Sequence, residues 1–389
     1  MFKKFLLVYS VIFLITAFNS ELFGIPAFAR KYSMSCQTCH SPIPRLKDYG
    51  DEFAKNGFVL ADKDAPRYFQ ETGDAELSLI RDLPLALRLE GYATFKHKSN
   101  EDKFEFGSPR ILKVLSGGAL AKDLAYYFYF YLDEKGEIAG LEDAYLMFNN
   151  FFNTGLDIYL GQFQVSDPLF KRELRLTIED YQIYKRKIGN SSINLSYDRG
   201  LMLNYELPTN TDISLELLNG TGLIQATNDD FDRDKYLNLF GRISQELAKP
   251  LRIGGLVYYG KENLTLPSDT LLNTVKMLGG DFTLSLGDKF QINYQYVFRE
   301  DSKPDIGFDR IKTNGSFVEL IYTPQGDESK WYAAGLFNYI NSDYNLADYK
   351  AFALNIGYLL KRNFRLVSEF SFDLLNKSNQ ISLGFVSGF

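Results

Sequence analysis

The chain has 389 residues, a formal net charge of −6, two Cys, two His, and an aromatic content of 15% that includes 33 Phe and 26 Tyr. The negative charge and the lack of a polybasic tail disfavour a nucleic acid as the partner. Because hydrophobic residues reach only 45%, this many aromatic residues favour short alternating strands over a set of large packed cores.

Residues 1–24 have the pattern of a secretory signal peptide. Two lysines precede an apolar run, Phe5–Phe18, of the length of a signal-peptide core. We expect cleavage after Gly24, with Ala29 as the alternative site and an uncleaved anchor as the alternative for the whole segment. No long apolar run follows, so any membrane insertion must use strands, because only helices and closed barrels satisfy their backbone groups in lipid.

The sharpest motif in the chain is Cys36-Gln37-Thr38-Cys39-His40. In this spacing two cysteines can form thioethers with one haem, and the adjacent histidine can bind its iron as an axial ligand. A redox dithiol or a disulfide is the alternative for a bare pair of cysteines. These are the only cysteines of the chain, and one of its two histidines directly follows them. We therefore predict one covalently bound haem c on Cys36, Cys39 and His40.

The residues after the motif predict a turn and a short helix. Pro42 and Pro44 interrupt any helix that begins at the motif. Apolar residues then recur at helical spacing at Leu46, Tyr49 and Phe53. Gly57 is expected to end this helix. The helix is either a small amphipathic core element or a cover for the porphyrin, and the two roles are compatible. Residues 25–75 are too few for an independent domain, so we place this mostly helical haem segment in the lumen of a barrel.

Residues 76–389 predict an all-β fold, a transmembrane antiparallel barrel of about 16 strands. Apolar residues alternate with polar ones along strand-length segments; for example, Leu201 and Leu203 flank Met202. In such a barrel the apolar side faces outer-membrane lipid and the polar side faces the lumen. An even number of strands leaves both termini in the periplasm. The chain ends at Phe389, and a terminal aromatic residue resembles the assembly signal of outer-membrane proteins.

The connections between the strands fall into two alternating kinds, as in outer-membrane barrels. Short turns are expected at 122–123, 149–154, 208–211, 248–250, 287–288, 324–328 and 361–363. Longer loops are expected at 98–108, 133–140, 164–199, 221–235, 261–272, 300–313, 341–349 and 374–379.

The loop Gln164–Arg199 is long and rich in Lys and Arg. It either folds inward and narrows the lumen, where cationic side chains would favour anions, or it is a solvated outer loop. The stretch from Gly161 to Tyr181 is similar to the corresponding part of phosphate-selective porins O and P.

With the haem motif and the barrel both in place, the chain resembles the fused outer-membrane monohaem cytochrome–porins of iron-oxidising bacteria. The resemblance rests on Phe28-Ala29-Arg30-Lys31-Tyr32, the haem motif, Pro44-Arg45-Leu46, Tyr49-Gly50, Phe53 and Asn56-Gly57-Phe58. It implies that the barrel holds the haem in its lumen and that extracellular Fe(II) donates electrons to it. A periplasmic cytochrome or copper protein would accept them. The resemblance implies haem attachment at Cys36 and Cys39, iron ligation by His40, and an electron-transfer protein of the Fe(II) oxidase type.

The second axial ligand is open among five residues: Met34, His97, Met147, Met202 and Met277. The strand pattern turns His97 outward and Met202 towards the lumen, and Met34 precedes the first anchoring cysteine. We therefore choose Met202, because a thioether ligand raises the haem potential as oxidation of Fe(II) requires. An iron with no second protein ligand is the alternative.

Two other functions stay open. One is an electron conduit that runs outward or uses another donor. The other is an anion-selective diffusion porin with a structural or sensory haem. The carboxylates at Asn228–Asp234 could receive iron at the outer rim, and the alternative is a solvated acidic loop.

Overall fold

The computed structural model of the chain describes residues 27–60, 69–70, 72–74, 76–81, 83–98, 101–232, 234–266 and 269–389. The predicted signal peptide, residues 1–24, lies outside these described residues, as does part of the predicted haem segment, 25–75.

Within the described residues, sixteen antiparallel strands close into one barrel. They follow a separate two-stranded sheet of β1 (Phe69–Gln70) and β2 (Leu79–Ile80). The barrel strands are β3 (Leu85–Lys98), β4 (Glu101–Ala121), β5 (Leu124–Glu134), β6 (Gly140–Phe151), β7 (Leu156–Phe163), β8 (Asp198–Leu207), β9 (Thr211–Leu218), β10 (Asn238–Ala248), β11 (Leu251–Thr265), β12 (Thr270–Leu286), β13 (Phe290–Asp301), β14 (Ile311–Tyr322), β15 (Trp331–Ser342), β16 (Tyr349–Lys361), β17 (Phe364–Asp373) and β18 (Ser378–Gly388). Each strand pairs with its neighbours in sequence, and β18 pairs with β3 to close the ring. The predicted fold class is therefore confirmed.

The outer face of the barrel is apolar and the inner face is largely polar. On β16, Leu354 and Ile356 are 48% and 49% exposed, whereas the alternating Ala353 and Asn355 are buried. A soluble sandwich would bury the apolar side against a second sheet. The reversed pattern is typical of barrels that face lipid.

The two ends of the barrel differ in their connections. The turns at 122–123, 152–155, 208–210, 249–250, 287–289, 323–330 and 362–363 all lie at one end, which we call the short-turn mouth. The first and last barrel strands also meet there, because the amides of Leu87 and Phe389 donate to each other's carbonyl oxygens at 2.6 and 2.9 Å. The opposite end, the long-loop mouth, carries the remaining connections.

Two of the predicted long loops are wrong. The ladder of β3 and β4 continues to the pair Lys98 and Glu101, and that of β11 and β12 continues to Thr265 and Thr270. The strands stay paired beyond the apolar band. Polar residues there can alternate along a strand or populate a loop, so their sequence does not distinguish a strand from a loop. The loops predicted at 98–108 and 261–272 are therefore mostly strand.

The N-terminal segment lies inside the barrel at the short-turn mouth. It contains α1 (Ala27–Tyr32), α2 (Cys36–Cys39) and α3 (Asp48–Lys55). Gly57 follows α3 with a φ of 68°, as the prediction of a glycine after the helix end requires. Among the described residues, no helix combines the length and apolar character needed to cross a membrane.

The long segment 164–197 between β7 and β8 also folds into the lumen, and we call it the lumen loop. It contains a 3₁₀ turn at Arg172–Leu174 and α4 (Gln182–Lys185). The Tyr181 hydroxyl donates to Glu319 at 3.0 Å, and the Tyr184 hydroxyl donates to Gln295 at 3.1 Å. Both acceptors lie on the opposite inner wall, so of the two alternatives the inward fold is correct.

Candidate functional site

The haem motif forms a single helical turn in the barrel lumen. Ser35 precedes this turn, and its hydroxyl accepts a hydrogen bond from the Gln37 amide at 3.3 Å. The amide of His40 donates to the Cys36 carbonyl at 2.9 Å. Both cysteines are free and half-buried. The turn brings Cys36, Cys39 and His40 to the wall of one cavity.

The His40 ring is oriented by the turn that follows the motif. Its Nδ1 lies 2.8 Å from the carbonyl oxygen of Pro44. Because a carbonyl can only accept, Nδ1 carries the proton, and Nε2 is the ring nitrogen left with a lone pair for a metal. Burial lowers the pKa of His40, which keeps the imidazole neutral. A neutral ring with an anchored Nδ1 is the form that ligates iron.

The pKa values of the two thiols of the motif are shifted in the opposite direction from those of a reactive redox dithiol. Burial raises the pKa of both Cys36 and Cys39. Reactive dithiols of oxidoreductases depend on a lowered thiol pKa. This disfavours the redox-dithiol alternative for the motif.

Helix α3 packs directly on the motif through a glycine. A methyl group at Gly50 would lie 2.3 Å from the carbonyl oxygen of Cys39. The same carbonyl accepts from the Lys47 amide at 2.8 Å, and the Lys47 ammonium donates to the Gln37 carbonyl at 3.1 Å. The helix and the motif therefore form one unit.

An aromatic cluster covers this unit. Phe28 and Phe58 stack with ring centroids 4.5 Å apart, and Phe53 meets both edge-on at 5.7 and 5.8 Å. Phe58 then stacks on Tyr127 of the barrel wall at 5.1 Å. Of the aromatic face predicted for the helix, Phe53 joins this cluster, whereas Tyr49 is 42% exposed.

Polar contacts fasten the segment to the rim of the barrel. Lys47 pairs with Asp327 at 2.7 Å, and Lys55 pairs with Asp212 at 3.1 Å. On the inner wall, Arg365 donates to the carbonyl oxygen of Ile43 at 3.1 Å. The contacts lie on different sides of the barrel, so the segment is held across the mouth.

The motif cavity, as we call the space beside Cys36, Cys39 and His40, has a volume of about 280 Å³. The N-terminal segment, the lumen loop and the inner faces of β3 to β6 and β16 to β18 enclose it. Most of its lining is apolar or aromatic. The polar exceptions include buried atoms that have no hydrogen-bond partner: Nε of Arg88, Nε of Arg365 and both amide atoms of Gln164.

These features suit a haem. The cavity has two cysteines and a ligating imidazole on one side, apolar walls for a macrocycle, and unused donors that suit carboxylate substituents. Cys36 and Cys39 would hold the group, and His40 would ligate its iron. Among the described residues no three His, Cys, Asp or Glu side chains gather into a metal site, so the acidic loop Asn228–Asp234 provides no such cluster.

The candidates for the second axial ligand are separated in space. Met34 lines the motif cavity, although the sequence disfavours it. Met202 faces the lumen, as predicted, but it lines a neighbouring polar cavity of about 760 Å³ instead. Met147 and Met277 are buried in the core formed with the lumen loop. His97 is exposed and pairs with Asp102 at 2.5 Å. The assignment of Met202 stays a prediction.

Four cationic residues of the lumen loop contact carboxylates of the same loop. The Asp180 carboxylate accepts hydrogen bonds from Nη2 and Nε of Arg172 at 2.6 and 3.2 Å. The Lys185 ammonium lies 3.2 Å and the Arg175 guanidinium 3.8 Å from the same carboxylate. Lys171 pairs with Asp167 at 3.1 Å. Three of these cations share the single carboxylate of Asp180, and Arg186 donates to carbonyl oxygens of residues 346–348, so the loop keeps an excess of positive charge. The sequence showed the cations, but the pairing depends on how the loop folds.

Comparisons with known proteins establish the fold. No family model and no curated protein matches the chain. Solved outer-membrane porins match it over 79% of its length. The anion-selective porin of Comamonas acidovorans shares 13% identity over 99% of its own chain, with a TM-score of 0.58. The channel DcaP of Acinetobacter baumannii shares 15% identity over 97% of its own chain, with a TM-score of 0.56. OmpF of Salmonella typhi, solved with daunomycin, shares 11% identity over 97% of its own chain, with a TM-score of 0.56. The chain has a porin-type barrel.

Proposed function

We propose that the chain is an outer-membrane barrel that carries one covalently bound haem c in its lumen and transfers electrons across the membrane. The observation that carries the proposal is the convergence of Cys36, Cys39 and the anchored His40 on one largely apolar cavity inside a porin-type barrel. The apolar exterior and the porin fold support the outer membrane as its location. The short-turn mouth, where the first and last barrel strands meet, would face the periplasm.

The residues of the site would bind and orient the haem and shield it from water. Cys36 and Cys39 would fix it to the segment, and the Pro44 carbonyl keeps the His40 ring in position. Phe28, Phe58 and the barrel wall would shield the haem from water. When bound, the haem would supply a one-electron couple.

The position of the site supports passage of electrons between two compartments. The motif lies at the short-turn mouth, and the lumen loop forms its other side. With this mouth towards the periplasm, as proposed, a periplasmic carrier would come within reach of the haem. From the resemblance to cytochrome–porins, we propose extracellular Fe(II) as the donor and a periplasmic cytochrome or copper protein as the acceptor. Outward electron flow would use the same architecture.

Haem staining of outer-membrane fractions on denaturing gels tests the core of the proposal. We expect a covalent stain at the size of the mature chain in the wild type, and its loss in Cys39→Ala. Heat-modifiable migration on the same gel tests whether the variant still forms a barrel. A wild-type band that folds but does not stain would refute the haem.

Spectra of the purified protein then test the donor. Addition of Fe(II) should reduce the haem rapidly in the wild type. The protein reconstituted in vesicles, with an electron acceptor enclosed, should reduce that acceptor only when the haem is present. A stained protein that Fe(II) does not reduce would keep the haem and exclude this donor.

A second candidate is an anion-selective diffusion porin, in which the haem is structural or sensory. The porin fold supports this candidate more directly than the redox one, and one neighbour is named an anion-selective porin. The polar cavity of about 760 Å³ beside α3 also favours a solute path. Because three cations of the lumen loop share the carboxylate of Asp180, the loop keeps an excess of positive charge that would favour anions. Anion conductance in a planar bilayer, unaffected by Cys39→Ala, would support this candidate.

A further inference from the structure

One buried arginine of the barrel wall lacks the anionic partner that its neighbours have. Among the described residues, the cationic side chains most deeply buried in the wall are Lys113, Arg242, Arg299 and Arg365. The first three form ion pairs of 2.6 to 2.7 Å with Glu173, Asp281 and Asp301. Arg365, only 5% exposed, has no carboxylate at ion-pairing distance within the described part of the chain.

The guanidinium of Arg365 is held in place by neutral groups. It donates to the Tyr332 hydroxyl at 2.8 Å and to the Ile43 carbonyl at 3.1 Å. Its Nε has no partner, and the side chain lines the motif cavity. Glu90, a carboxylate that interacts electrostatically with Arg365, is already paired with Arg88. Arg365 therefore has no ion pair of its own, and an anion beside it in the cavity would be favourable.

We propose that Arg365 binds a carboxylate of the haem, so that the group is fixed to the segment by its cysteines and to the barrel wall by this arginine. The inference rests on the proposed function. The planar fork of a guanidinium suits a carboxylate, and the remaining lining of the cavity suits an apolar ring. A small free anion offers the same charge, and the experiment below separates the two.

The reduction potential reports on this contact. A cation beside the haem disfavours the more positive ferric state, so its removal lowers the potential. The Coulomb energy between the arginine charge and the extra charge of the ferric state, at about 10 Å and an effective dielectric constant of about 20, corresponds to about a tenfold change in an equilibrium constant. Removal of the charge should therefore shift the ferric–ferrous equilibrium about tenfold, which is about 59 mV for one electron.

The experiment compares the haem reduction potentials of the wild type, Arg365→Gln and Arg242→Gln, each as the purified full chain with covalently bound haem. Arg242→Gln also removes one buried positive charge from the lumen wall, but beside the other cavity and from an ion pair with Asp281, so it controls for the loss of charge alone. We expect a lowered potential for Arg365→Gln and little change for Arg242→Gln. Equal potentials in wild type and Arg365→Gln, or equal shifts in both variants, would overturn the inference.

Two further measurements complete the test. A wild-type potential that changes with added chloride or phosphate at constant ionic strength would show that a free anion occupies Arg365, and would overturn the assignment to the haem. If Arg365→Gln does not fold, the infrared band of the haem carboxylates is compared between wild type and Arg365→Lys, and an unchanged band overturns the inference. A wild type without covalent haem is a different result, because it refutes the proposed function itself.

Discussion

The substitution Gly50→Ala tests whether α3 packs against the haem motif as closely as the structure indicates. The added methyl group would lie 2.3 Å from the Cys39 carbonyl oxygen and 3.0 Å from Leu46 Cδ2. Since non-bonded atoms normally stay about 3.5 Å apart, the helix would have to move by about 1 Å. Such overpacking costs about 1–3 kcal/mol.

The sign of the stability change caused by Gly50→Ala shows whether the helix packs against the motif or is unobstructed. In an unobstructed helix, replacement of glycine by alanine stabilises by about 1 kcal/mol. Against the motif, we expect a net destabilisation of up to about 2 kcal/mol, because the gain in helix propensity offsets part of the cost of overpacking. At that limit the population of the locally open state rises about 30-fold.

Hydrogen–deuterium exchange of the peptides that cover residues 46–58, in the folded barrel in detergent, measures this opening. Gly335→Ala is the control, because a methyl group at Gly335 would have no atom within 4 Å. It should leave the exchange of these peptides unchanged. Exchange in Gly50→Ala that is as slow as in the wild type, or slower, would refute the packing argument.

Two other predictions concern the lumen. The substitution Met202→Leu tests the predicted second ligand: we expect the sulfur-to-iron band to be lost, and an unchanged haem spectrum and potential would instead favour Met34, which lines the motif cavity. We expect Asp180→Asn to loosen the lumen loop by about 3–5 kcal/mol, because it leaves the Arg172 cation buried without its partner. Proteolysis within 164–197 in intact vesicles would detect this, and unchanged resistance would contradict it. The cations around Asp180 hold its pKa well below the usual range, so its stabilising effect is complete above about pH 4 and is lost as the pH falls towards the depressed value. Wild-type loop protection that declines already near pH 6 would contradict this assignment.

The sequence predicts the barrel well because its pattern is local. Alternation along each strand decides which side chains face outward, so the lumen side of Met202 is correct. The positions of the short turns are also correct, since turn residues act within a few positions. The predicted loops 98–108 and 261–272 are wrong, because strand pairing beyond the apolar band leaves no hydrophobic signal.

The contents of the lumen could be predicted only in part. The motif defines Cys36, Cys39 and His40 by spacing alone, and the flanking prolines and Gly57 define the short helix. The path of the lumen loop across the barrel decides which cavity Met202 lines. That path depends on contacts between residues far apart in the sequence. The unpaired state of Arg365 is equally invisible in sequence, because it depends on partners that lie far along the chain.

The location of the motif inside a closed ring of strands has a consequence for biogenesis. The pairing of β18 with β3 closes the barrel, and the turn Cys36–Cys39 then lies behind a continuous wall. An enzyme of ordinary size cannot enter such a lumen. If haem is attached to these cysteines as proposed, its attachment must therefore precede docking of the N-terminal segment inside the barrel.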